Sequence, residues 1–260
     1  MEIERLIRGQ GGEPVVAPSM REIPLANNPP AFDFAAKLLA GEVDLVIFLT
    51  GVGARLLNQI LETKYPPGTI IDALKRTAVV ARGSKPMAVL REWGVPVAVT
   101  VPEPNTWREI LAATEGRSEK RIFVQEYGKS AIDLIDGLRA RGAEVTAVPV
   151  YQWALPEDLE PLKKAVHGIA NGEFDVLLLT ASIQADYLMQ IAAQEEIEDD
   201  VRRGLRSMMV ASVGPTTSET LAELGIAVDF EPSHPKMGFL LSEGARAAGE
   251  ILRAKRERKQ

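Results

Sequence analysis

The chain has 260 residues, a formal net charge of −6, no cysteine and two histidines, with hydrophobic residues at 46% and charged residues at 25%. That length suffices for one large or two ordinary domains, each with its own core. The missing cysteines exclude disulfides, thiolate nucleophiles and sulfur metal sites, His167 and His234 alone make a histidine metal site improbable, and the acidic balance argues against a broad nucleic-acid surface.

No apolar run approaches the roughly 18 residues of a membrane span, and no basic start followed by an apolar segment marks a signal peptide. The expectation is a cytoplasmic protein that binds neither membrane nor nucleic acid. The basic end, Arg253-Ala-Lys-Arg-Glu-Arg-Lys259, reads as a solvated helix terminus.

From the start, Ile3, Leu6 and Ile7 share a helical face up to Gly9, and Gly11-Gly12 precedes a strand-like Val15-Val-Ala-Pro18. Asn27-Asn-Pro-Pro30 breaks regular structure. A helix over Phe32 to Leu39 leads into Asp44-Leu-Val-Ile-Phe-Leu-Thr50, whose unbroken apolar character suits a strand covered on both faces. Gly51-Val-Gly53 then turns into a helix from Arg55 to Leu61.

Strand and helix alternate from there. Thr77 to Ala81, Val95 to Thr100, Arg121 to Gln125 and Glu144 to Val150 read as strands, with helices over Lys85 to Trp93, Thr106 to Ala113 and Ser130 to Arg139. Beyond Trp153-Ala-Leu-Pro156 come a helix ending near Gly172, strand Asp175 to Thr180, helix Ile183 to Ala193, strand Met208 to Val213, helix Thr217 to Leu224, strand Ile226 to Phe230 and a last helix from Gly238. Such alternation predicts α/β architecture with mainly parallel sheets flanked by helices.

The chain also repeats. Gly41-Glu-Val-Asp-Leu-Val-Ile-Phe-Leu-Thr50 matches Gly172-Glu-Phe-Asp-Val-Leu-Leu-Leu-Thr180 with one residue deleted, Gly83 answers Gly214, and Leu90-Arg-Glu-Trp-Gly-Val95 answers Leu221-Ala-Glu-Leu-Gly-Ile226. Gly11-Gly-Glu13 through Pro18 parallels Gly142-Ala-Glu144 through Pro149. All α/β units look somewhat alike, but matched offsets over several elements favour duplication into two similar domains. In the second copy the strand Arg121 to Gln125 precedes the first helix, whereas the first copy begins in its helix. Either that sheet is one strand short or residues are missing before Met1.

The repeat centres on two junctions, Val79-Val-Ala-Arg-Gly-Ser-Lys-Pro-Met87 and Val210-Ala-Ser-Val-Gly-Pro-Thr-Thr-Ser-Glu219, where a strand ends in glycine and a helix begins. A helix start presents unpaired N–H groups and the positive end of the dipole, a ready anion site. Thr216 and Glu219 also have capping-box spacing, so polarity there has a purely structural reading as well. Arg82, Gly83, Ser84 and Lys85 add cations to one junction, and Tyr127, Gly128 and Lys129 to another. Ser182 reads as an N-cap. Gly128-Lys-Ser130 is no P-loop, because Phe123 stands where its first glycine belongs, and Gly51-Val-Gly53 lacks the third glycine of a dinucleotide fingerprint.

Ligands of open α/β sheets bind beyond the carboxyl ends of the strands. Several polar junctions there, on two similar domains, point to a ligand held between them that bears several negative charges. No serine, histidine and acid set or close acid pair stands out for hydrolysis. Tyr151, near Trp153 and Pro156, is either a linker aromatic packed on a domain edge or a general acid in a cleft.

Taken in order, Val213-Gly-Pro-Thr-Thr-Ser-Glu-Thr-Leu221 with Glu223-Leu-Gly225, Leu179-Thr-Ala-Ser182, Leu49-Thr-Gly-Val-Gly53, and Gly142-Ala-Glu144 through Pro149-Val-Tyr151 resemble the uroporphyrinogen-III synthase family. Each motif alone is degenerate; their order and spacing over nearly the whole chain carry the likeness. The resemblance implies two similar α/β domains joined by a two-stranded linker, one of them discontinuous: 1–25 with 156–260, and 31–149 inserted, with linkers at about 20–30 and 150–155.

The resemblance also implies a reaction, cyclisation of hydroxymethylbilane to uroporphyrinogen III with inversion of ring D and loss of water, in tetrapyrrole biosynthesis. No cofactor or metal is implied. Tyr151 is the implied acid for the departing hydroxyl, and Thr50, Gly51, Arg82, Gly83, Ser84, Lys85, Tyr127, Gly128, Lys129, Ser182, Gly214, Thr216 and Thr217 are the candidate binders of the polycarboxylate. Pro86, where a counterpart of Thr217 belongs, departs from the pattern. A monomer that takes its substrate from hydroxymethylbilane synthase is expected. The alternatives are a non-catalytic two-domain binder of an acidic small molecule or tetrapyrrole and, more weakly, a nucleotide-binding protein.

Overall fold

A computed structural model describes residues 2–25, 27–128 and 130–257. The chain divides into two compact units, Met1–Arg21 with Ala154–Gln260, and Glu22–Trp153. Both crossings between them fall in β1 (Arg21–Pro24) and β7 (Tyr151–Ala154), which pair as a two-stranded sheet.

The inserted unit begins with α2 (Pro29–Leu39). Its two prolines occupy the first helical positions, where no N–H is needed, and the Asn28 side chain accepts the Ala31 N–H at 3.1 Å. The Asn-Pro pairs therefore start a helix instead of merely breaking one. There follow β2 (Leu45–Phe48), α3 (Gly51–Glu62), α4 (Thr69–Leu74), β3 (Ala78–Ala81), α5 (Ser84–Glu92), β4 (Val99–Thr100), α6 (Trp107–Ala113), β5 (Arg121–Glu126), α7 (Ile132–Ala140) and β6 (Glu144–Pro149). The short α4 has no counterpart in the sequence reading, and β4 keeps only the last two residues of its expected strand.

The five strands are parallel in the order β4-β3-β2-β5-β6. Successive residues of β2 divide between two cores. Val46 and Phe48 pack with Phe34, Leu61, Leu74 and Leu90 on one face, while Leu45 and Ile47 pack with Ile110, Leu134 and Leu138 on the other. A strand buried on both faces must be apolar throughout, which is why this run lacks alternation. The chain builds outward from β2 through β3 to β4, then returns to the other side of β2 with β5 and β6. The order reverses between β2 and β5, the place where an open α/β sheet offers a crevice to ligands.

The discontinuous unit comprises α1 (Glu2–Gly9), α8 (Glu160–Ala170), β8 (Val176–Leu179), α9 (Ser182–Gln194), α10 (Glu198–Leu205), β9 (Met209–Ser212), α11 (Pro215–Glu223) and α12 (Met237–Glu257). Strands β8 and β9 are parallel, and the expected strand at Ile226 to Phe230 reduces to a single bridge between Ala211 and Phe230. Val15 to Pro18 forms no strand; Pro14 and Pro18 lack donors, and Val15 is 63% exposed. Leu162, Ile169, Leu188, Ile191, Leu205 and Leu221 fill one core, and α12 closes the other face through Leu240, Ile251 and Leu252. Burying each such side chain contributes about 1.5–3 kcal/mol. Lys255, expected to be solvated, pairs with Asp229 and donates to the Met208 carbonyl at 2.6 Å; Arg258 and Lys259 lie outside the described residues.

The duplication is visible in the backbone. Gly41 and Gly172 have φ of 74° and 73°, Gly94 and Gly225 of 68° and 70°, and the caps Gly83 and Gly214 share extended backbone at φ 164° and 165°. Among the described residues no helix is long and apolar enough to cross a membrane.

Candidate functional site at the carboxyl edge of the inserted sheet

In the inserted unit, Thr50 follows β2, Arg82 follows β3, Tyr127 follows β5 and Tyr151 lies just beyond β6. Parallel strands put all four at one edge, with Thr50 and Tyr127 flanking the point of reversal.

Thr50 caps α3, its Oγ1 accepting the Gly53 N–H at 2.9 Å. The Thr50 N–H donates to Gln125 Oε1 at 3.3 Å, and Gln125 Nε2 donates to the Glu126 carbonyl at 2.6 Å. Gly51 and Gly53 are buried. A Cβ at Gly51 would sit 2.8 Å from the Lys85 carbonyl oxygen, and one at Gly53 would sit 2.1 Å from Gln125 Nε2. Gly51 thus serves the packing of α3 against α5, a structural use that the sequence reading did not separate from binding.

Tyr151 is 3% exposed. Burial pushes its phenol up to about 12; the Thr50 side chain and the Arg82 charge oppose the shift, while Glu22 and Tyr127 add to it. At neutral pH the group is a protonated donor. The Tyr127 ring is tilted against Tyr151, centroids 6.4 Å apart, and meets Trp153 edge-on at 5.5 Å. Trp153 covers Gly128, where φ is +53° and a Cβ would lie 2.3 Å from the indole. The Arg82 guanidinium lies over the Tyr127 ring at 4.7 Å, and its Nη1 donates to the Tyr127 hydroxyl at 2.6 Å.

Helix starts differ in their availability. At α5, Gly83 provides no side-chain cap, and Ser84 and Lys85 are exposed beside it. At α7, the 6% exposed Glu126 already fills the anion position: Oε1 accepts the Ala131 N–H at 2.7 Å and the Ser130 hydroxyl at 2.9 Å. An external carboxylate would compete there with one built into the chain. Lys129 lies outside the described residues.

In the discontinuous unit, Ser182 is the first residue of α9, not its cap; Gln184 Oε1 instead accepts the Thr180 and Ala181 N–H groups at 2.7 and 3.0 Å. Thr216 and Glu219 form no capping box, because α11 starts at Pro215 with Gly214 as its cap and Thr216 already inside. Ser212 does the local work, accepting the Gly214 N–H at 3.2 Å and donating to its carbonyl at 2.9 Å. Thr217 is 3% exposed and Thr216 faces solvent. A capping box does form between Thr106 and Glu109 at α6.

Gln125 and Glu126 are what sequence reasoning missed. The signal was two polar residues closing the apolar strand Ile122-Phe-Val124 at the point of reversal. A cavity of about 250 Å³, lined in part by Lys37, Arg121 and Glu144, lies at the amino ends of β5 and β6 and has no connection with this constellation. Among the described residues no group of three or more His, Cys, Asp or Glu could hold a metal ion.

Comparison with known proteins bears on the whole chain. The uncharacterized protein YjjA of Bacillus subtilis is 29% identical over 251 residues, covering 94% of this chain and 91% of that one. A uroporphyrinogen-III synthase of Chlorobaculum parvum is 28% identical over 165 residues, covering 62% of this chain and 63% of its own. A crystal structure of a mutant uroporphyrinogen III synthase from the extremely thermophilic bacterium Thermus thermophilus superposes with a TM-score of 0.71 at 23% identity, over 96% of this chain and 94% of that one, which shows a common fold. The family profile described as uroporphyrinogen-III synthase HemD matches residues 1–242, and the chain belongs to the uroporphyrinogen-III synthase family.

Proposed function

We propose that the protein is a uroporphyrinogen-III synthase, closing hydroxymethylbilane to uroporphyrinogen III with inversion of ring D. Tyr151 carries the reading: a buried phenol that keeps its proton at neutral pH, at the carboxyl edge of a parallel sheet, in a chain of this family. The terminal C–O bond breaks and the hydroxyl departs as water with the phenolic proton. The pyrrole nitrogen then gives up its proton, restoring the phenol and leaving a neutral azafulvene. Attack by the substituted carbon of ring D forms a spiro intermediate, whose fragmentation and recombination invert that ring. Acid assistance of this kind contributes about 100- to 10,000-fold.

Each proton in this sequence moves between substrate, Tyr151 and water, so the chemistry draws on no cofactor. The remaining task is to hold a flexible polyanion in one geometry. Arg82 and Lys85, Thr50, Ser84 and the uncapped N–H groups behind Gly83 supply cations and donors suited to carboxylates. Thr216 and Ser182 offer hydroxyls on their own unit and Lys129 a further cation, whereas the N–H groups of Gly214 and Gly128 are already taken by Ser212 and by the Tyr151 carbonyl. The protein acts as a monomer and receives its substrate from hydroxymethylbilane synthase.

The test is incubation with enzymatically generated hydroxymethylbilane, followed by separation of the type III and type I isomers. The parent chain yields type III product, and Tyr151→Phe slows its formation at least about 100-fold. Unchanged conversion by Tyr151→Phe would overturn the acid role. Only type I product from the parent would overturn the synthase reading in favour of a binding protein.

A further inference from the structure

Arg82 is held through its backbone as well as its side chain. Its N–H donates to the Phe48 carbonyl at 3.0 Å. One end of the Asn105 amide lies 2.8 Å from the Arg82 carbonyl oxygen and 3.0 Å from that of Val101. Two acceptors make that end the nitrogen, whose two protons go one to each. Asn105 thereby ties together the carboxyl ends of β3 and β4, where the Val101 N–H also donates to the Ala81 carbonyl at 3.0 Å. The placement is built in. Asn105 has φ of 61°, a conformation that asparagine tolerates, and its N–H donates to the Pro102 carbonyl at 3.0 Å. A Cβ at Gly83 would lie 2.8 Å from the Asn105 amide, so the amide fits only because residue 83 is glycine.

The guanidinium works at a distance from this anchor. Strands β3 and β5 lie on opposite sides of β2, two strand spacings or about 9.5 Å apart. Arg82, which follows β3, meets Tyr127, which follows β5, with Nη1 2.6 Å from the hydroxyl and the guanidinium carbon 4.7 Å from the ring centroid. Over such a span a small rotation about the Arg82 Cα breaks the contact. That rotation is governed by the peptide plane carrying the Arg82 carbonyl, and the Asn105 amide holds that plane. We infer that Asn105 is a positioning residue for substrate binding, fixing the Arg82 backbone so that the guanidinium stays on Tyr127 and keeps its remaining donors at the carboxyl edge for a substrate carboxylate. The inference rests on the reading of Arg82 as a carboxylate binder. It differs from a merely structural role, because an amide that only stapled residues 101–106 to the sheet would leave the Arg82 guanidinium unmoved once the protein had folded.

The experiment compares Asn105→Gly, which keeps the backbone conformation and deletes the amide, with Asn105→Asp, which keeps the shape and has no proton to give at neutral pH. Each is examined by circular dichroism, by kcat and KM for type III product, and by the 15N resonance of Arg82 Nε, assigned through Arg82→Gln. Both variants raise KM about fivefold with kcat within about twofold. Both move the Arg82 resonance towards its position in Tyr127→Leu, where ring and hydroxyl are gone. Asn105→Gly combined with Arg82→Gln has a KM no higher than Arg82→Gln alone, since both act through one guanidinium. Gly83→Ala, which displaces the amide without deleting it, gives the same resonance shift and serves if neither Asn105 variant folds. An unmoved Arg82 resonance in a folded variant, or KM increases that multiply in the double variant, would overturn the inference. The resonance needs no turnover. If the parent makes no type III product, or Arg82→Gln leaves KM unchanged, the reading of Arg82 fails while the hold of Asn105 on its guanidinium is still decided by the resonance.

Discussion

The Arg82 guanidinium stacks on the Tyr127 ring, 4.7 Å from its centroid, while its Nη1 donates to the Tyr127 hydroxyl at 2.6 Å. One aromatic side chain thus holds a cation at the carboxyl edge of the sheet, beside the point of reversal. The planar guanidinium keeps donors beyond this bond, in a fork matched to a carboxylate.

Arg82→Gln therefore raises KM about tenfold, the loss of roughly 1.4 kcal/mol of binding, with a smaller change in kcat. Arg82→Lys recovers little, because an ammonium neither stacks as a plane nor forks. Tyr127→Phe keeps the stacking and loses the hydroxyl, so its KM falls between those of the parent and Arg82→Gln. Steady-state kinetics with hydroxymethylbilane check all three.

The Tyr151 phenol is raised from 10.0 to about 12 by burial, so the unfolded chain releases this proton before the folded one. The stability linked to it is complete below pH 10 and is lost as pH rises towards 12. Tyr151→Phe flattens that part of the curve, measured by urea denaturation in alkaline buffers. The pH profile of kcat accordingly carries no limb from Tyr151 below pH 10.

Asp44 works in the opposite sense. The Arg121 side chain and N–H hold its carboxyl down from 3.8 to about 2, through contacts of 2.6 and 2.8 Å. The folded state stays ionised where the unfolded chain takes up a proton, so the contribution is present above 3.8 and lost as pH falls towards 2. Asp44→Asn costs about 1–2 kcal/mol at neutral pH, allowing for the solvent exposure of Arg121. The difference from the parent narrows as denaturation is repeated at lower pH, and a constant difference would refute the assignment.

Gly204 lies where α10 crosses α8, and an added Cβ would sit 2.0 Å from the Ile169 carbonyl oxygen. Backbone cannot give as a side-chain end can. Gly204→Ala destabilises the discontinuous unit by at least about 2 kcal/mol, seen as faster amide exchange in β8 and β9 with protection in β2 and β5 retained.

Apolar runs bounded by glycine made β2, β3, β5, β8 and β9 legible, since a strand covered on both faces has no other way to be written. The glycine pairs revealed the duplication for a similar reason: a left-handed turn after a helix admits few residues, so it marks the same place in both copies. Tyr151 was legible as a candidate acid, but its titration was not, because that is set by burial in the folded chain, beside the Tyr127 ring. Which helix starts remain open could not be read, since Glu126 and Gln184 cap theirs from positions that spacing alone does not single out.

The sequence by itself determined the alternation of elements, the two copies and the family likeness, because these follow from periodicity, turn residues and motif order along the chain. Only the tertiary structure decided that Thr50, Arg82, Tyr127 and Tyr151 share one sheet edge, and that Gln125 stands behind Thr50. The reason is the strand order: β5 lies next to β2 although two strands separate them in the chain, and no local pattern encodes that pairing.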